Sequence, residues 1–71
     1  MTVLDVICRM PENALVTVVD KNGDIIDGCD SCDRLLAFKN IEKEVNDIVN
    51  RLVWKMEVGT VYNDIILWTA I

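Results

Sequence analysis

Cys29-Asp30-Ser31-Cys32 is the one stretch whose residue types and spacing suit redox or metal chemistry. At a helix start the first thiol would feel the helix dipole and be acidified, as a redox dithiol requires. A structural zinc ion takes four ligands, and beyond this pair only Cys8 and the carboxylates Asp30 and Asp33 are of the right kind. The surroundings lack the βαβ pattern that supports a thioredoxin-like reading. Ordinary loop cysteines are the simpler account, with redox or metal work through Cys29 and Cys32 as the alternative. A second group is acidic: Asp20, Asp24, Asp27, Asp30 and Asp33, opposed nearby only by Lys21 and Arg34. Counted from Asp20, Gly23 falls at the fourth place and Ser31 at the twelfth, where a calcium loop needs Gly at the sixth and Glu at the twelfth. The aspartates therefore read as a turn and a solvated edge. Asp24, Asp27 and Asp30 are the candidates for docking a basic patch on a partner. A further alternative is an acidic nucleic-acid mimic that blocks a DNA-binding protein.

Other chemistry is missing. The chain has no histidine, and so lacks the commonest general base and the commonest metal ligand. It carries no nucleophile elbow, phosphate loop or metal-binding helix motif. The expectation is a non-enzymatic protein without a cofactor. Seven basic against twelve acidic residues leave a net charge of −5, which repels phosphates and argues against direct nucleic-acid binding. The N-terminus has neither a basic region nor a long apolar run, so no signal peptide is read. No apolar run approaches a membrane span, so no membrane partner is expected. A cytoplasmic setting with reduced thiols follows.

The elements that position these residues can be read in order. Thr2 with Asp5 three residues later is a variant of the capping box, and Val3, Val6, Ile7 and Met10 have helical spacing, giving a helix over residues 3–9. Pro11 ends it. Residues 14–20 are dense in β-branched side chains and read as a strand. Asn22-Gly23 then predicts a tight hairpin with positive φ at both central residues. Ile25 and Ile26 begin a return strand closed by Asp27-Gly28, and residues 28–33 form a loop. Asp30 or Ser31 caps a short helix from Arg34 to Phe38. Residues 40–58 support two readings. Ile41, Val45, Ile48, Val49, Leu52, Val53 and Met56 recur at helical spacing, yet Asn46, Asp47 and Asn50 suit a helix poorly. Leu52, Trp54, Met56 and Val58 alternate with Lys55 and Glu57, which favours a strand from about 44 to 58. The last seven residues, 65–71, are a strand with Ile65, Leu67, Thr69 and Ile71 on one side and Ile66, Trp68 and Ala70 on the other.

The whole chain, 1–71, is thus one small α+β domain. Its expected order is α-β-β-α-β-β, with two short helices on one face of a mainly antiparallel sheet. The alternative, α-β-β-α-β, has one long helix at about 40–57. A 52% hydrophobic content exceeds what so small a globule hides, so surplus apolar surface and a homodimer are expected. The second sheet face, with Trp54, Trp68 and Ile66, is where the dimer contact is placed. Thr2-Val3-Leu4-Asp5-Val6-Ile7, Pro11-Glu12-Asn13-Ala14, Val16-Thr17-Val18-Val19-Asp20, Asn22-Gly23, Asp33-Arg34-Leu35-Leu36 and Ile65-Ile66-Leu67 together resemble small phage and prophage proteins of gut Firmicutes. That resemblance covers most of the chain and implies a mobile-element origin, with no activity or functional residue attached. The expected function is an interaction module that binds or inhibits a host protein.

Overall fold

Thr2 starts the first element. Its hydroxyl accepts from the Asp5 N–H at 3.2 Å and the Asp5 carboxylate accepts from the Thr2 N–H at 2.9 Å, closing the capping box. The computed structural model describes residues 1–70. Helix α1 (Val3–Ile7) is followed by β1 (Leu15–Val19), β2 (Ile25–Ser31), α2 (Cys32–Phe38), α3 (Lys43–Val49), β3 (Val53–Val58) and β4 (Ile65–Thr69). The expectation for Ile71 lies outside the described residues.

The first hairpin forms where Asn22-Gly23 places it, with a different turn. The Asp20 carbonyl accepts from Gly23, the Asp20 N–H donates to the Asp24 carbonyl, and only Gly23 has positive φ, at 88°. This is a three-residue loop, in which only the last loop residue must be left-handed. The Asp20 carboxylate takes the N–H groups of Asn22 and Asp24, and that local satisfaction explains the wider loop. The return strand does not close at Gly28. It bulges there, with Cys29 at φ 49°, and runs on to Ser31. Ser31 is the cap of α2, its hydroxyl accepting from Arg34 N–H at 3.1 Å.

Residues 40–58 resolve into both readings at once. A strand from about 44 is corrected to helix α3 as far as Val49, and a helix to about 57 is corrected to strand β3 from Val53. Val45, Ile48 and Val49 form one apolar stripe against the core, and this burial overrides the poor intrinsic propensity. Asn50 ends the helix, its side-chain amide donating to the Asn46 carbonyl at 2.8 Å. Beyond it the chain is fastened to the N-terminus: Val3 donates to Arg51 O and Val53 to Met1 O, at 3.0 and 2.8 Å. There are accordingly three short helices where two were expected.

The sheet is open, in the order β2-β1-β4-β3. Its two hairpins are antiparallel, and β1 and β4 meet at the centre in parallel. Val16, Val18 and Leu67 turn to the helices and pack with Val3, Val6, Ile7, Cys32, Leu35 and Val49 in a single core.

Candidate interaction surface

The opposite face of the sheet has no helix over it. Period-two alternation along β1 and β4 sends Thr17, Val19, Ile66 and Trp68 there, and the parallel register sets Thr17 beside Ile66 and Val19 beside Trp68. Lys55 and Glu57 of β3 lie opposite Trp68 and Ile66 on the same face. Trp54 joins them through a bulge between Val53 and Lys55, which inserts one residue and reverses the side its neighbour would take. Its ring stands edge-on to Trp68, with centroids 6.0 Å apart, and its indole N–H donates to the Thr69 carbonyl at 3.2 Å. The simple alternation of Trp54 with Met56 and Val58 is therefore corrected: those two lie on the helix side, opposite Leu67 and Ile65.

Trp68 is the centre of this face. Gly23 lies so close over its ring that a Cβ there would stand 3.0 Å from the ring edge. The Lys55 ammonium sits 5.0 Å from the ring centroid and 2.7 Å from the Glu57 carboxylate. That hydrogen bond from Lys55 holds the Glu57 carboxyl below its ordinary value. The loop after β3 rises beside the sheet and turns the face into a cleft of about 580 Å³, lined by Val19, Ile25, Val61, Tyr62, Ile66 and Trp68. Val61 and Tyr62 are 79% and 66% exposed. Below the apolar rim lies a buried polar joint. The Thr17 hydroxyl donates to the Asp64 carboxylate and accepts from the Cys29 N–H, so it ties β1, β2 and the β3–β4 loop together.

Of the expected interaction residues, Trp54, Trp68 and Ile66 are brought together. Of the aspartates, Asp27 and Asp30 meet each other away from this face, and Asp24 joins neither group. Asp24 stays exposed at the hairpin turn, whereas Asp27 and Asp30 lie on the helix side of β2, in a cleft with Arg34, Glu42 and Glu44. Asp20 is committed to its turn. The aspartates are thus divided between the hairpin turn and the helix-side cleft. Cys29 lines the open face while Cys32 is fully buried in the helix-side core, and both are free thiols. The bulge sends the two to opposite sides of the sheet, and burial pushes the Cys32 thiol up. Among the described residues no group of three or more candidate ligands is placed to hold a metal ion, and no helix is long and apolar enough to cross a membrane.

Asp27 is strained electrostatically. Burial, then the charge of Asp30, raises its carboxyl above the ordinary value, and one of its oxygens is buried without a partner. A carboxyl raised on folding binds its proton more tightly in the folded state. Stability therefore falls as pH rises from the unfolded value of 3.8 through the folded one. Asp27→Asn is expected to raise the urea midpoint at neutral pH and to leave it unchanged near pH 3. A midpoint lowered at neutral pH would contradict this.

Sequence reading missed Thr17, Gly59, Asp64, Val61 and Tyr62. Gly59 was the available signal, an isolated glycine between two apolar strands. No protein-family model, no curated protein and no solved structure matches this chain.

Proposed function

We propose that this chain is a non-enzymatic, homodimeric interaction module that binds a host protein through the open face of its sheet. The observation that carries the reading is the apolar cleft around Trp68, walled by the exposed Val61 and Tyr62. A walled cleft receives a projecting apolar side chain, and large aromatic groups around such a pocket supply most of an interface's affinity. The net charge of −5 favours a basic segment around that anchor. The mobile-element origin implied by the resemblance to phage and prophage proteins fits a product that acts by holding or inhibiting a host protein.

Capture from a bacterial lysate tests the proposal. The chain is expected to retain a specific protein, and Val61→Ser with Tyr62→Ser, both at exposed positions, is expected to release it without altering the far-UV circular dichroism. Absence of any specific partner at every salt concentration would overturn the reading, as would retention unaffected by the double substitution.

A further inference from the structure

The two edges of the sheet are unlike. On β2 the ladder is broken by bulges, Cys29 is left-handed, and Asp27 and Asp30 stand along the strand, devices that discourage further pairing. On β3 the ladder has one bulge, between Val53 and Lys55, and runs unbroken from Lys55 to Val58, where its two charged residues, Lys55 and Glu57, are of opposite sign. Beyond Val53, whose N–H is taken by the Met1 carbonyl, no backbone hydrogen bond reaches the outer side of the strand among the described residues. Trp54, Met56 and Val58 along it are 58%, 55% and 69% exposed. Gly59 donates to the Asp64 carbonyl at 2.7 Å. By the alternation of an antiparallel ladder, Glu57 and Lys55 then turn their backbone groups to β4, and Met56 and Val58 turn theirs outward.

We infer that a second copy of this chain occupies that edge, β3 pairing antiparallel with β3 of the partner subunit about a two-fold axis at Met56. In this register Met56 and Met56 of the partner subunit exchange two backbone hydrogen bonds. Lys55 falls opposite Glu57 of the partner subunit, and Glu57 opposite Lys55 of the partner subunit, at closely spaced non-hydrogen-bonded positions. The Lys55–Glu57 pair now closed within one chain at 2.7 Å is free to be shared across the axis. Centring the axis on Lys55 or Glu57 instead would oppose like charges and present backbone groups already used by β4. Met56 and Val58 also rim an apolar cleft of about 460 Å³ with Met1, Val6, Met10 and Ile65, and Met56 of the partner subunit would lie along this exposed apolar row. The product is one continuous sheet with both open faces on the same side, a paired recognition surface. The inference deepens the homodimer of the proposed function, and its test reads assembly alone.

Sedimentation velocity on the purified chain is the experiment. The wild type is expected to be a dimer, and Lys55→Glu and Glu57→Lys are each expected to weaken it about tenfold or more by creating like-charge pairs. Mixing those two variants restores both opposite-charge pairs and is expected to restore the dimer, as is the double variant Lys55→Glu with Glu57→Lys. Val61→Ser with Tyr62→Ser should leave dimerisation unchanged, so loss of a host partner and loss of the dimer are read separately. A monomeric wild type overturns the inference. A dimer indifferent to the single reversals, or a mixture and double variant that stay monomeric, does the same.

Discussion

Leu67→Ala is expected to leave the chain largely unfolded in buffer. Leu67 is fully buried in β4, beside Val18 of β1 and opposite Met56 of β3. A leucine-to-alanine change in such a site costs roughly 2–5 kcal/mol, the transfer of the lost methyl groups plus the cavity left behind. A core in a domain of this size supplies only about 3–5 kcal/mol in all, so the substitution consumes most of the margin. Leu67→Met keeps the volume and should cost less than about 1.5 kcal/mol. Urea titration followed by far-UV circular dichroism distinguishes the two. Folded Leu67→Ala protein with a midpoint near that of the wild type would show that the core is not organised around β4.

Gly59→Ala is expected to be nearly as severe, for a different reason. A Cβ at this position would lie 1.9 Å from the Asp64 Oδ1 and 3.3 Å from the Asp64 carbonyl oxygen. The carboxylate must move, and Asp64 is only 5% exposed, so it moves away from the Thr17 hydroxyl with nothing to replace that donor. Overpacking costs about 1–3 kcal/mol, and an unsatisfied buried group about 1–3 kcal/mol more. The two mechanisms share one side chain, which makes the effect non-additive. In an Asp64→Ala background the same glycine substitution should therefore cost much less. A double-mutant cycle by urea denaturation measures this, and equal costs in both backgrounds would place the damage elsewhere.

What was legible follows from what is local. Thr2 and Asp5 announced the capping box because both partners lie within one helical turn. Asn22-Gly23 announced the hairpin, although Asp20 decided its turn by binding two N–H groups that no pattern of two residues contains. Ile66 and Trp68 were placed on the open face by period-two alternation alone. Trp54 was grouped with them for its type, and reaches them only because of a bulge that alternation cannot foresee. Cys29 and Cys32 looked like a pair for the converse reason: their spacing suits a loop, and a bulged strand separates them. Residues 45–49 became helix through burial against a core whose other members lie far away in sequence. The cleft was illegible because the loop carrying Val61 and Tyr62 has no period, and the joint of Thr17 with Asp64 spans 47 residues.

The parallel contact at the middle of the sheet also governs how the molecule is assembled. The Thr69 hydroxyl reaches the Val19 carbonyl at 2.8 Å across 50 residues of chain, and every β1–β4 pairing closes a loop of comparable length. Each hairpin can zip locally, but a two-stranded hairpin is marginal in water. Neither half has a stable existence until the other docks beside it, after most of the loop-closure entropy has been lost. Folding is therefore expected to be a single cooperative event limited by the meeting of β1 with β4, which single-exponential refolding in stopped flow would check.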